Sequence, residues 1–183
     1  MKKLIWAALT FSILATASRA QETPLADVAV GYSHFHIIKG FTIPMEGGSG
    51  SLAVNATDWL AVAGDFGAYD SHGLGFNAET YTIGPRFSYR KVDRFTPFAQ
   101  VLVGGAHFSA PFGGAPAAQG GHFAFSFGVG ADIGLVRSGR LTLRPQADYF
   151  GVQIGGSQIG NIRLSLRIVF RFGRRATPQN RGN

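Results

Sequence analysis

The strictest constraint in this sequence is a stretch near its C-terminal end in which every second residue is large and apolar. The apolar set is Ile162, Leu164, Leu166, Ile168, Phe170 and Phe172. Arg163, Arg167 and Arg171 alternate with members of this set. Because successive side chains of a strand point to opposite sides, the stretch predicts a β-strand with one apolar face and one face that carries three arginines.

The same two-residue alternation occurs in seven earlier segments. The eight predicted strands are 26–37, 48–56, 59–69, 78–91, 94–108, 122–136, 140–150 and 159–173. Short turns are predicted around Asp58, Asp93 and Ser138, and longer Gly-rich loops around residues 40, 73, 115 and 155. An even number of strands joined by alternating short and long hairpins is typical of a closed up-and-down barrel.

The direction of the apolar faces distinguishes two kinds of eight-stranded barrel. A soluble lipocalin-like barrel would turn them inward around a ligand, whereas a membrane barrel turns them toward lipid. The sixth strand carries Phe123, Phe125 and Phe127 on one face and Gly128 and Gly130 on the other. Because eight strands enclose only enough space for small or well-packed side chains, the small face fits inside. We therefore predict an all-β, eight-stranded antiparallel transmembrane barrel.

The opposite, polar face predicts an ion network in the lumen. Its members are Asp65, Arg86, Asp132, Arg144, Asp148, Arg163 and Arg167. Enclosed charges must be paired. Asp65 and Arg86 each lie about six residues from the predicted turn ends of adjacent strands, so we expect them to form an ion pair. Asp132 and Arg144 flank the Ser138 turn at similar height.

The N-terminal segment has the features of an export signal. Lys2 and Lys3 precede an apolar run, and Ser18-Arg19-Ala20 ends in residues that signal peptidase prefers. We predict a signal peptide over 1–20, a barrel domain over 21–173 and a short polar periplasmic tail over 174–183.

The chain has no cysteine, which rules out disulfides and thiolate metal sites.

The signal peptide, the eight strands and the closing residues 166–172 resemble the small outer-membrane barrels of Gram-negative bacteria, the OmpA/OmpX-like domains. The resemblance spans the whole chain after the signal peptide and implies a monomer in the cell outer membrane, in contact with lipid and lipopolysaccharide. It also implies that Phe170 and Phe172 form the C-terminal insertion signal that the barrel-assembly machinery recognises. In the family the terminal aromatic residue is often the last one, whereas here the chain continues beyond Gly173.

Few residues of this sequence are candidates for metal binding or catalysis. Five histidines lie near the predicted loop ends, and His34 and His36 share a face that suits either a metal site or a plain polar rim. His107 and Ser109 resemble the His-x-Ser pair of outer-membrane lipid A deacylases, but no acidic residue follows before Asp132. We predict no catalytic residue, metal, cofactor or nucleic-acid partner.

The predicted function is that of a structural outer-membrane barrel with a side-chain-filled polar lumen, whose short external loops contact partners. The alternatives are a lipid A ester hydrolase that uses His107 and Ser109, and a narrow, weakly conducting pore.

Overall fold

The computed structural model describes residues 23–37, 44–71, 75–92, 94–109, 120–154 and 156–173. Within them the chain forms eight antiparallel strands that close into one barrel. The strands are β1 Ala26–Ile37, β2 Met45–Asn55, β3 Leu60–Asp70, β4 Asn77–Ser88, β5 Phe95–Ser109, β6 Gly120–Gly134, β7 Leu141–Ile154 and β8 Ser157–Phe172. Each strand pairs with its neighbours in sequence, and β8 closes the barrel on β1. The predicted fold class is confirmed.

The apolar faces of the strands lie on the outside of the barrel. In β8, Leu164, Leu166 and Ile168 are about half exposed, whereas Arg163 and Arg167 between them are fully buried. The other strands show the same alternation of exposed and buried positions. The predicted orientation is therefore correct, and the soluble, apolar-inside barrel is not the arrangement that this chain adopts.

The connections distinguish the two ends of the barrel. At one end, here called the turn end, residues 56–59, 89–94 and 135–140 join the strands. At the other, the loop end, the connections are 38–44, 71–76, 110–119 and 155–156. The last of these contradicts the predicted long loop around residue 155, because Ile154 pairs directly with Ser157. Gly156 permits this tight turn with a φ of +83°.

Aromatic packing explains why the predicted loop at 151–157 is mostly strand. A Cβ on Gly151 would lie 2.4 Å from the ring of Phe125, and one on Gly160 would lie 2.4 Å from the Tyr149 hydroxyl. These glycines therefore accommodate neighbouring rings within the sheet and do not interrupt it. Two other strand boundaries differ from prediction by three residues, since β2 already begins at Met45 and β4 ends at Ser88, and the remaining ones differ by at most two.

Several predicted segments lie outside the described residues, namely the signal peptide over 1–20, the tail over 174–183, the loop residues around 40, 73 and 115, and Asp93 of the second short turn. In the part of the chain that the structure describes, no helix is long and apolar enough to cross a membrane.

The close approach of β1 and β8 predicts a difference between two glycines. A Cβ on Gly31 would lie 2.1 Å from the Leu166 carbonyl oxygen, whereas one on Gly48 would meet nothing within 4 Å. Gly31→Ala should therefore lower the free energy of unfolding by about 1–3 kcal/mol, as overpacking does. Gly48→Ala, the matched control, should leave it nearly unchanged in a urea titration of the barrel in micelles. Equal effects would mean that β1 and β8 do not meet at this register.

Candidate functional site

The inward face of the barrel carries four fully buried arginines. Arg86 comes from β4, Arg144 from β7, and Arg163 and Arg167 from β8. Each is at most 2% exposed. A guanidinium group at such depth is strongly destabilising unless acceptors surround it. The positions of the buried carboxylates therefore determine whether this interior is stable.

Nearest the turn end lies the lower network, defined as Asp27, Arg86, Asp132, Arg144 and Arg171. Arg144 donates from Nε to Asp132 Oδ1 at 2.5 Å and from Nη2 to Asp27 Oδ1 at 2.9 Å. Arg86 Nη1 lies 3.4 Å from the same Asp27 oxygen. Arg171 Nη2 donates to Asp132 Oδ2 at 3.0 Å. Each aspartate is thus shared by two arginines, and the network ties together five strands, β1, β4, β6, β7 and β8.

The upper network lies at the middle of the barrel and is defined as Asp65, Asp148, Arg163 and Arg167. Arg163 donates from Nη1 to Asp65 Oδ1 at 2.7 Å and from Nε to Asp148 Oδ2 at 3.0 Å. Arg167 Nη1 donates to the second oxygen of Asp65. Together the two networks place four fully buried arginines against four buried aspartates. Charge-assisted hydrogen bonds of this kind are the stronger ones in proteins.

Gln100 of β5 connects the two networks, and Phe98 of the same strand packs against the arginines of the lower one. Gln100 accepts a hydrogen bond from Arg86 Nε at 3.0 Å and donates one to Asp148 Oδ1 at 3.4 Å. The ring of Phe98 lies 4.8 Å from the guanidinium carbon of Arg86 and 5.1 Å from that of Arg144. Contacts at these distances are cation–π interactions. Polar and aromatic side chains thus fill the space between the charged layers.

An apolar cluster occupies the interior above the upper network, toward the loop end. This apolar plug consists of Phe35, Met45, Tyr69, Phe150 and Val152, all buried. The Phe35 ring meets Tyr69 and Phe150 edge to face, with centroid distances of 4.6 and 5.6 Å. Arg163 Nη1 donates to the Tyr69 hydroxyl at 3.2 Å, so the plug is joined to the charges beneath it.

The predicted ion pair between Asp65 and Arg86 is wrong. Asp65 lies opposite Thr82 in the β3–β4 register, while Arg86 lies opposite Ala61, four residues nearer the turn end. Counting from the predicted strand ends produced this error, because β4 ends at Ser88 rather than at residue 91. All seven residues of the predicted lumen network are nevertheless buried inside the barrel.

The pairing of Asp132 with Arg144 across the Ser138 turn is the one predicted contact that the structure contains. Asp27, which holds both Arg86 and Arg144, was missed by the sequence reasoning. The sequence does contain a sign of this role. Asp27 lies two residues before Ala29, which is buried on the inward face of β1, and residues two apart in a strand share a face.

The turn end of the interior is closed by Arg90. It donates from Nη2 to Asn55 Oδ1 at 2.8 Å and from Nε to the Asp58 carbonyl oxygen at 3.1 Å. Burial, followed by the positive charge of Arg171, lowers the pKa of the Arg90 guanidinium. The hydrogen bonds fasten two neighbouring turns to each other beneath the lower network.

At the loop end, the outward face brings an acidic residue to the His-x-Ser pair. Glu79 of β4 lies directly opposite His107 of β5, and Ser109 lies two residues farther along the same face. The sequence contains no acidic residue between Ser109 and Asp132. A partner that comes from the preceding strand is found only once the β4–β5 register is known.

The remaining histidines do not assemble a metal site in the described residues. His34 Nδ1 lies 3.3 Å from Glu46 Oε1 on the outer face of β1 and β2. His72 and the side chain of His36 lie outside what the structure describes. The proposed insertion-signal residues Phe170 and Phe172 are both exposed on the outside of β8.

Solved structures similar to this fold are small outer-membrane barrels. Neisserial surface protein A aligns with a TM-score of 0.69 at 12% identity, over 80% of this chain and 97% of that one. OprG from Pseudomonas aeruginosa aligns with a TM-score of 0.59 at 9% identity, over 84% and 98%. The N-terminal β-barrel domain of Pseudomonas aeruginosa OprF gives 0.53 at 13% identity, over 82% and 100%. These similarities identify the fold as that of the small outer-membrane barrels.

No family model matches the sequence, and no curated protein matches it significantly.

The network geometry predicts which charges are coupled. A double-mutant cycle on Asp132→Ala and Arg144→Ala should give single losses of up to about 3–5 kcal/mol in unfolding free energy, because each change removes one of the two partners of a buried charge. The coupling energy should be about 0.5–3 kcal/mol. The control cycle on Asp65→Ala and Arg86→Ala should be closer to additive, since those side chains make no direct contact. A larger coupling in the control cycle would contradict the structure.

Proposed function

We propose that the protein is a structural β-barrel of the Gram-negative outer membrane that does not conduct ions. In this proposal the signal peptide is cleaved after Ala20 so that the mature chain starts at Gln21, and Phe170 and Phe172 direct assembly by the barrel-assembly machinery. The mature barrel is a monomer surrounded by phospholipid and lipopolysaccharide. Its external loops are the surfaces available to partners.

The outer surface is the observation that carries the membrane location. Large apolar side chains are exposed on every strand, among them Val30, Leu52, Phe66, Ile83, Val103, Phe127, Tyr149 and Leu166. Water would destabilise so continuous an apolar surface, whereas lipid solvates it. Trp59 and Phe87 stack at the turn end with centroids 6.0 Å apart, as aromatic residues do at a membrane interface. The fold similarity to outer-membrane barrels also supports this location.

The filled interior is the observation that supports a non-conducting barrel. The lower network, the upper network and the apolar plug succeed one another along the axis, and their largest side chains are fully buried. An ion would have to displace paired arginines and cross an apolar layer, and both steps are unfavourable.

Planar-bilayer recordings test whether the filled interior blocks the passage of ions. Adding the wild-type barrel to a planar bilayer should give no more conductance than adding the same detergent without protein. Phe35→Ala combined with Phe150→Ala should stay silent too, because the charge networks beneath the plug still fill the barrel. Steady single-channel currents from the wild-type protein would overturn the proposal in favour of the narrow pore.

The membrane location predicts a depth-dependent cost of arginine on the outer face. Leu166, near the middle of β8, and Leu135, at the turn end, are exposed to a similar degree, 53% and 51%. Arginine should cost about 2–4 kcal/mol at the bilayer midplane but only about 0–1 kcal/mol near the interface. Urea unfolding from lipid vesicles should therefore show a much larger loss for Leu166→Arg than for Leu135→Arg. Equal losses would argue that this face does not contact the bilayer interior.

A second candidate function, lipid ester hydrolysis, is favoured by the position of Glu79 opposite His107. Ser109 Oγ would attack the ester carbonyl carbon while His107 takes the hydroxyl proton, and the alcohol would leave with that proton. Water would then hydrolyse the acyl-serine and release a fatty acid. Glu79 would orient the imidazole, as the third member of such sites does.

Fatty-acid release from lipopolysaccharide, measured by mass spectrometry, tests the second candidate. Release that Ser109→Ala abolishes and Ser157→Ala leaves intact would establish the hydrolase. Ser157 is a suitable control because it is an exposed serine at the same end of the barrel. Absence of release from the wild-type barrel would eliminate this candidate and leave the structural function in place.

A further inference from the structure

Two connections at the turn end of the barrel carry a group of exposed cations. Residues 89–94 and 135–140 together contain five lysines or arginines and one acidic residue, Asp93, which lies outside the described residues. Four of the cations are exposed and are here called the basic patch, namely Lys91, Arg94, Arg137 and Arg140. The two connections lie side by side, since the backbone N–H of Gly134 donates a hydrogen bond to the Arg94 carbonyl oxygen at 2.8 Å.

The described part of the chain offers the basic patch no counter-ion. None of its four side chains forms an ion pair there, whereas the buried arginines of both networks are all paired. Asp58, the one exposed carboxylate that the structure describes at the turn end, accepts a hydrogen bond from the Thr23 hydroxyl at 2.8 Å. Exposed cations without a partner attract anions from outside the chain.

An apolar cleft opens on the outer face of β3, β4 and β5 next to the basic patch. Its volume is about 320 Å³, and its lining includes Trp59, Phe87, Tyr89 and Pro97. Exposed positions alternate along β4 and the residues that follow it, so Phe87, Tyr89 and Lys91 succeed one another on the outward side. A cation thus continues an aromatic wall, which suits a ligand with an apolar part and an anionic part.

The place of the basic patch in the membrane narrows the choice of ligand. β8 ends at the turn end, where the predicted periplasmic tail follows it. In the proposed function this end therefore meets the periplasmic leaflet, which consists of phospholipid. Phe95, Leu135 and Val136 are exposed beside the patch, so its cations border the apolar surface. Cations beside such residues lie at headgroup depth, where anionic lipid attracts them.

We propose that the basic patch binds anionic phospholipid of the periplasmic leaflet, with the start of an acyl chain in the cleft beside Trp59. The ammonium and guanidinium groups donate charge-assisted hydrogen bonds to the phosphate oxygens. A zwitterionic headgroup is bound less well, because its own ammonium group is repelled by the patch. The inference rests on the proposed membrane location, but insertion and lipid preference give separate readouts in one experiment.

Fluorescence quenching of Trp59 tests the proposal, because the other tryptophan, Trp6, precedes the predicted cleavage site. The barrel is refolded into phosphatidylcholine vesicles that contain a minor fraction of phosphatidylglycerol. Either the phosphatidylglycerol or an equal amount of the phosphatidylcholine carries bromine atoms near the start of its chains. Quenching of the wild-type barrel should correspond to about fivefold enrichment of phosphatidylglycerol at Trp59, as roughly one cation near an anionic lipid provides.

Two matched variants separate charge from structure. Replacing all four cations of the basic patch by glutamine should remove the enrichment. Exchanging each cation for the other basic residue should retain most of it, and this control consists of Lys91→Arg, Arg94→Lys, Arg137→Lys and Arg140→Lys. Heat-modifiable migration on gels shows that each variant is folded.

Equal quenching of the wild-type barrel by the two brominated lipids would overturn this inference and leave the membrane location in place. Absence of quenching by either lipid would overturn both. Enrichment that survives in the folded glutamine variant would mean that the basic patch is not the binding surface. If the wild type showed no lipid preference but bound peptidoglycan sacculi, and the glutamine variant did not, the patch would instead belong to the acidic groups of the cell wall.

Discussion

An eight-stranded barrel encloses a space that its own side chains must fill, and in this protein charged side chains fill most of it. Arg86, Arg144, Arg163 and Arg167 are fully buried. The arrangement is tenable because Asp27, Asp65, Asp132 and Asp148 come from other strands to meet them. These ion pairs cross the interior and connect strands that share no backbone hydrogen bonds, such as β1 with β7 and β3 with β8. Buried pairs of this kind are poor sources of net stability, so their contribution is to select one register and one closed shape.

The interior is layered along the barrel axis, and the layers have different consequences. Arg90 and the lower network close the turn end, where three short connections join the strands. The apolar plug at the loop end places aromatic rings above the upper network. Exclusion of water from above strengthens the electrostatic attraction below, since a lower local dielectric increases each interaction. In the proposed function, the rim at the loop end is therefore the part of the molecule that partners would contact.

The faces of the strands were predictable from the sequence, whereas the contacts between strands were not. A two-residue period places Leu166 and Arg167 on opposite faces whatever the register, and the small residues opposite the phenylalanines of β6 indicate that the apolar face is the outside. The pairing of Arg86 depends on where β4 ends, and an error of three residues there led to the wrong partner. Gly151 resembled a loop residue because the ring of Phe125 that covers it is separate in sequence. Glu79 was overlooked beside His107 for the same reason, since their proximity is a property of the β4–β5 register.

The alternation between a lipid-facing outside and a packed, charged inside is the central claim, and it can be measured residue by residue. The chain has no cysteine, so single cysteines at positions 162 to 169 of β8 can be labelled with a nitroxide in the refolded, vesicle-inserted barrel. The account predicts a two-residue period in collisions with oxygen, high at Leu164, Leu166 and Ile168 and low at Ser165 and Arg167. Water-soluble nickel complexes should reach none of these positions. A flat oxygen profile, or nickel access to Leu166, would contradict it.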